Sequence, residues 1–266
     1  MVHGFGSQIA WPVVTFVRIA ITFFIVIVML RITGAPIIVR GTPILWCRSL
    51  VGTCGLFCTF YALTHMYVTD SVTIIATNPI WVMVLLAVVF NHRLPWIVIV
   101  DVALALAGVY VMERPTFDSN LLPMFAALAG AFTSAVVKVS LSRLGHLPTI
   151  SVVTHHTAVA SMATLIASLM LVEKIVLVDN LSPWIWLMLI PVGLLGTVAQ
   201  LMMTSSYGRG NTLMVTLISL SNIAFAALFD VIFWDRSFDL WHGVGALMIA
   251  TAILLSVHRN ARAEAE

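Results

Sequence analysis

The chain has 266 residues, of which 61% are hydrophobic and only 9% are charged. Soluble globular proteins carry roughly 45–50% apolar and about 25% charged residues, so this composition indicates a protein that lies in a lipid bilayer. A formal net charge of +2 forms no basic face, which excludes nucleic-acid binding as a main role. The composition also excludes a separate soluble catalytic domain, and no cofactor or metal is expected.

Apolar segments, separated by Gly, Pro or charged residues, are each about long enough to cross hydrocarbon as a helix. Strands are not expected, because the strands of membrane barrels alternate in polarity and these segments do not. The predicted fold class is therefore all-α: a polytopic membrane helix bundle of about nine transmembrane helices. The predicted spans are 12–30, 47–66, 70–90, 95–112, 121–141, 147–172, 183–206, 211–233 and 242–258.

Basic residues are distributed unevenly among the connecting segments. If these segments alternate sides, one side holds eight basic residues and the other three. Because cytoplasmic loops carry an excess of Lys and Arg, the richer side is predicted to be cytoplasmic, with the C-terminus on that side of an inner or plasma membrane. The eight are Arg31, Arg40, Arg48, Arg93, Arg143, Arg209, Arg259 and Arg262, against Arg114, Lys174 and Arg236.

The chain also resembles itself at an offset of 143 residues. Residues 71–112 then align with 214–255, and 11 of these 42 positions are identical. The aligned spans three and eight are an odd number of spans apart and run in opposite directions. The halves, 1–114 and 115–266, are therefore predicted to be inverted repeats of four and five helices, an arrangement of secondary transporters. The offset leaves span 121–141 without a counterpart, so a first helix is expected to be missing; the alternative is a genuine nine-span protein.

These features resemble the ten-helix drug/metabolite transporter superfamily, in its EamA-type branch. The similarity begins at the family's second helix, around FVRIAITFFIVIVML with Arg18, and includes the YAL-like end of the third helix, the mid-helix Pro79 and the terminal Gly108. The resemblance implies transport of amino acids, purines, other metabolites or drugs. There are three departures from the pattern: the absent first helix, His92 in place of the usual glutamate, and Asn222 as the counterpart of Pro79.

Polar residues near the predicted midplane of spans three and eight mark a candidate substrate site. Pro79 has no N–H, so the carbonyl of Ile75 loses its helical partner and the helix kinks. A freed carbonyl is tolerated in lipid only where it faces protein or a watered cavity, and Asn78 adds a carbonyl oxygen and two donors. The alternative is a packing kink with Asn78 bonded across helices. Ser221 and Asn222 occupy the matching place in the second repeat.

Other polar side chains extend this site or suggest a proton path. Tyr61 and Gln200 lie on adjoining spans and would complete a cavity. Arg18, some six residues inside its span, is either a site for a substrate anion or counter-ion or a snorkelling anchor. His155 and His156 point about 100° apart on a helix, so one would line a cavity and titrate near neutral pH while the other bonds a neighbouring helix.

Two further charged residues lie inside predicted spans. Asp101 is a candidate for proton coupling, although a helix–helix hydrogen bond is the favoured interpretation. Lys138 lies three residues from the cytoplasmic end of its span and is expected to snorkel to the interface.

The predicted function is that of a secondary transporter that moves a small polar organic solute by alternating access, with no P-loop of its own for ATP. One alternative is a non-transporting membrane subunit or a truncated, inactive carrier. An intramembrane enzyme is disfavoured, because the chain has neither G-x-S-x-G nor H-E-x-x-H. The expected partners are a small-molecule solute and the lipid bilayer, with a homodimer left open.

Overall fold

The computed structural model describes residues 11–38, 41–89, 91, 95–117, 120–171, 183–234 and 239–265. Every predicted span coincides with one helix or with two short helices in series, so the all-α membrane bundle is confirmed. The helices are α1 Trp11–Thr33, α2 Pro43–His65, α3 Val68–Ile75, α4 Asn78–Val89, α5 Trp96–Glu113, α6 Leu121–Arg143, α7 Thr149–Leu171, α8 Pro183–Arg209, α9 Thr212–Ser219, α10 Ser221–Trp234 and α11 Leu240–Ala265.

Eight stretches of the described chain are long and apolar enough to cross a membrane. Two of them are interrupted helices, in which α3 continues into α4 and α9 continues into α10. Large apolar side chains are exposed on the outside of several helices, as at Phe24, Val88 and Met170. Such a surface suits contact with acyl chains and not with water.

The start of α2 follows from its local sequence. Pro43 occupies the first helical position, where a missing N–H has no consequence, and the Thr42 side chain accepts a hydrogen bond from the backbone N–H of Leu45 at 3.4 Å. The helix therefore begins before the predicted span and includes Arg48, which is fully buried. Arg48 therefore does not belong to a connecting segment, which agrees with the predicted span 47–66 and corrects the count of basic connector residues.

The chain divides into two compact units. The first comprises Met1–Thr53 and Ser140–Arg209, and the second comprises Cys54–Val139 and Gly210–Glu266. Each unit draws residues from both predicted repeats, so the repeat boundary remains a prediction.

In the first unit, α1 packs against α7 and α8. The Thr197 hydroxyl on α8 donates a hydrogen bond to the Thr22 hydroxyl on α1 at 3.1 Å. Gly193, one turn away, lies against the Ile21 side chain, which a Cβ at this glycine would meet at 2.5 Å. Small residues and hydroxyls of this kind allow close helix packing in lipid, where apolar burial alone gives little preference for a neighbouring helix.

In the second unit, α5 and α11 pack closely in an antiparallel arrangement. Asp101 of α5 pairs with Arg259 at one end of the contact, and Gly108 faces Gly245 further along it. A Cβ on Gly108 would lie 2.8 Å from the Gly245 carbonyl oxygen, so the two backbones touch. These helices join one apolar core with the interrupted helices, a core that includes Val82, Val102, Val109, Leu217 and Ile249.

Gly108→Val is expected to destabilise the protein by about 1–3 kcal/mol, because the new side chain would collide with the backbone of α11. Thermal unfolding of the purified protein in detergent measures this. Ala107→Val, on the exposed face of the same helix, is the matched control and should change stability by less than about 0.5 kcal/mol. Equal melting temperatures for Gly108→Val and the unsubstituted protein would contradict the contact.

Candidate functional site

Both interrupted helices belong to the second unit, and their breaks lie where the sequence predicted the substrate site. The first break separates Ile75 from Asn78, and the second separates Ser219 from Ser221. Interruptions inside a membrane span expose backbone groups that must find partners within the protein. The side chains at the breaks are therefore candidates for these hydrogen-bonding partners.

The two breaks have the same hydrogen-bonding pattern at the 143-residue offset. Asn78 Nδ2 donates to the Ile75 carbonyl at 3.0 Å, and Ser221 Oγ donates to the Ile218 carbonyl at 2.7 Å. The backbone bonds match as well. At the first break, the N–H of Thr77 donates to the Ile74 carbonyl and the N–H of Ile80 to the Thr77 carbonyl. At the second, the N–H of Leu220 donates to the Leu217 carbonyl and the N–H of Ile223 to the Leu220 carbonyl.

The Ile75 carbonyl was predicted to be free for a solute, but it already accepts a hydrogen bond from Asn78. Pro79 removes its backbone donor, as expected, but the amide of Asn78 replaces that donor three residues along the chain. The alternative interpretation, a packing kink with Asn78 bonded across helices, agrees with its second hydrogen bond, which joins it to another helix. Its carbonyl oxygen is directed at α6.

Lys138 of α6 donates a hydrogen bond from Nζ to Asn78 Oδ1. Both side chains are buried, each with 7% of its surface exposed. The snorkelling prediction for Lys138 was wrong, because its side chain is buried and donates to the Asn78 oxygen. An ionisable group inside a membrane protein is costly and is a candidate for function, so Lys138 joins the site that the sequence located at Asn78.

The other predicted residues of the second unit have different environments. Tyr61 is half-buried and its ring stacks on His65, with 4.1 Å between the ring centroids. Asn222, beside the second break, is exposed. Asp101 is buried and pairs with Arg259, so the favoured helix–helix interaction is present as an ion pair.

In the first unit, Arg18 is half-buried with its guanidinium Nε against α8 at Gly196. Gln200, one turn further along α8, is also half-buried. Arg18 thus lies alongside a helix backbone, with its stem on α1.

His155 and His156 are both buried. The Nδ1 atom of His155 lies 2.8 Å from Ser49 Oγ in a hydrogen bond, and the edge of its ring meets Trp46 at 4.6 Å between centroids. Nδ1 of His156 has no hydrogen-bond partner among the described residues. Both histidines therefore bond α2 at Ser49, His155 through the hydroxyl and His156 through the backbone, and Nδ1 of His156 remains unused.

Sequence reasoning missed Arg48 as a site residue. Its side chain is fully buried, none of its three guanidinium nitrogens has a partner among the described residues, and it interacts electrostatically with His155 and His156. The predicted span 47–66 already includes Arg48, so an ionisable residue inside a span was the signal that could have identified it.

Interrupted helices with buried polar groups inside an apolar helix bundle are the features of a membrane transporter. The sequence model of the EamA-like transporter family matches residues 4–114 and 121–258. The chain belongs to this family, and is a multi-pass membrane transporter of small metabolites.

Two curated relatives, both named pseudopaline exporter and from two strains of Pseudomonas aeruginosa, are each 24% identical over 250 residues. The alignment covers 91% of this chain and 84% of each relative. A protein of known crystal structure has the same fold, with a TM-score of 0.83 and 16% identity, over 98% of this chain and 92% of the other.

Asn78→Leu is expected to destabilise the protein by about 1–3 kcal/mol, because it removes an acceptor from a buried ammonium and the substitute donor from the Ile75 carbonyl. Lys138→Met alone should cost a similar amount. The double variant should lose clearly less stability than the sum of the two single losses, because it leaves neither the Lys138 ammonium nor the Asn78 oxygen buried without the other. Thermal unfolding of the four proteins measures the coupling, and strictly additive costs would contradict the pair.

Proposed function

We propose that this transporter is a secondary carrier that moves a small polar organic solute outward across the inner membrane by alternating access. The name of the two relatives supports export as the direction. Coupling to protons or to solute exchange agrees with the lack of a P-loop in the sequence.

The observation that carries this proposal is the pair of equivalent helix breaks in one core. Inverted-repeat carriers place discontinuous helices at their substrate site, and here the side chains of Asn78 and Ser221 each donate to the carbonyl three residues earlier. We propose that the solute passes along this broken-helix region, where Lys138 adds an ammonium to the Asn78 amide.

The remaining predicted residues keep supporting roles in this proposal. Tyr61, Gln200 and Arg18 are half-buried, which suits side chains that line a path as the carrier changes state. Of the proton-coupling candidates, Asp101 is paired with Arg259, whereas His156 has an unpartnered Nδ1. His156 is therefore the better candidate for a proton role.

The double variant Asn78→Leu/Lys138→Met is expected to fold but to move solute at least about tenfold more slowly, because even one polar contact is worth roughly that factor. The full chain, reconstituted in liposomes loaded with amino acids, purines, small carboxylates and pseudopaline, is assayed by mass spectrometry for loss of each solute. Thr251→Val, on the exposed face of α11, is the control and should leave the rate unchanged.

Equal rates for the double variant and the unsubstituted carrier would remove the broken-helix region from the transport path. Absence of efflux for every loaded solute in the unsubstituted protein would instead favour the alternative of a non-transporting membrane subunit.

A tag at the C-terminus is expected to be protected from external protease in intact cells. The C-terminus belongs to the side with more basic residues in its connecting segments, and this side is predicted to be cytoplasmic. The same tag inserted in the segment between α5 and α6, which is predicted to be external, is the matched control and should be cleaved. Cleavage of the C-terminal tag with protection of the inserted one would reverse the proposed orientation.

A further inference from the structure

We propose that Arg48 binds a carboxylate of the transported solute, so that the substrates of this carrier are small organic anions. The proposal rests on the proposed transport function and names its substrate class. It assigns the anion site to α2 and α7 of the first unit.

The first support is the state of the guanidinium itself. Arg48 has no exposed surface, and Nε, Nη1 and Nη2 all lack a hydrogen-bond partner among the described residues. A buried charge without a partner is strongly unfavourable. Proteins retain such a charge where a ligand of opposite charge supplies what is missing.

The second support is the charge composition of the first unit. Its described residues include five arginines but no aspartate or glutamate. In the second unit, by contrast, Asp101 pairs with Arg259 and Asp239 pairs with Arg114. The described part of the first unit therefore offers Arg48 no carboxylate, and a solute would be its source.

The third support is the set of groups around Arg48. The imidazoles of His155 and His156 lie close enough to interact electrostatically with the guanidinium. His156 has an unused Nδ1, and the Ser49 hydroxyl is held by His155. A guanidinium forms two parallel hydrogen bonds with a carboxylate, and the Arg48 nitrogens are free to form both.

A carboxylate fits this site better than a phosphate. One guanidinium carries one positive charge, which matches the single charge of a carboxylate, whereas a phosphate group carries about −1.5 to −2 at neutral pH. Because Arg48 is buried in this conformation, the solute reaches it when the carrier changes state, as alternating access requires.

The test measures thermal unfolding of the purified full chain with succinate, with succinamide as its neutral analogue, and with inorganic phosphate. Succinate is expected to raise the melting temperature by about 2 °C or more, and succinamide should have no effect. Arg48→Met should abolish the succinate response, Arg48→Lys should keep part of it, and the exposed Arg31→Gln should keep all of it.

The melting temperature without ligand separates an anion site from a structural arginine. Arg48→Met removes an unpartnered charge and leaves an unbranched side chain in its place. The variant should therefore unfold at the same temperature as the unsubstituted protein or higher. Marked destabilisation by this variant would identify a structural role and overturn the proposal. So would a succinate response that survives Arg48→Met, or an equal response to succinamide. A shift with phosphate alone would also overturn the carboxylate assignment.

The efflux assay distinguishes failure of this inference from failure of the proposed function. Efflux restricted to carboxylates, with at least tenfold loss in Arg48→Met, supports both. Efflux of uncharged solutes that is unaffected by Arg48→Met leaves transport intact and overturns only the anion site. An Arg48-dependent succinate shift without any efflux overturns the transport function while the anion site stands.

Discussion

The hydrogen-bond requirement of a backbone carbonyl inside a membrane span is the constraint on which the candidate site depends. Pro79 leaves the Ile75 carbonyl without its helical donor, and in hydrocarbon an unsatisfied carbonyl costs several kcal/mol. The Asn78 amide satisfies it at 3.0 Å and turns its oxygen to Lys138. A single asparagine thus stabilises the helix break and provides the acceptor for a buried ammonium.

The second break reaches the same bend without a proline. Ser221 supplies the local donor to the Ile218 carbonyl through a hydroxyl, and its neighbour Asn222, the counterpart of Pro79, is exposed. The Asn78 amide has a separate carbonyl oxygen, which accepts from Lys138, whereas a serine hydroxyl donates and accepts through one atom. The two halves therefore share a backbone geometry, while the polar chemistry of the first break is richer than that of the second.

Charge is distributed differently in the two units. The second contains ion pairs between helices, such as Asp101 with Arg259, which tie α5 to α11 beside the Gly108–Gly245 contact. The described part of the first contains arginines and histidines without a carboxylate. Paired charges stabilise a packing arrangement, whereas the buried Arg48 guanidinium, which has no hydrogen-bond partner among the described residues, supports the proposed ligand site. Membership of the EamA-like family is consistent with this division, since a carrier needs both stable packing and an unsatisfied site.

The sequence alone determined the helical spans, the family resemblance and the location of the first break, because apolar length and a proline act through the local chain. Only the tertiary structure decided where Lys138 and Arg48 point. Position along a span gives depth in the bilayer but not the direction of a side chain around the helix axis. The sequence therefore indicated interfacial positions for Lys138 and Arg48, each near the end of its predicted span, although both side chains are buried.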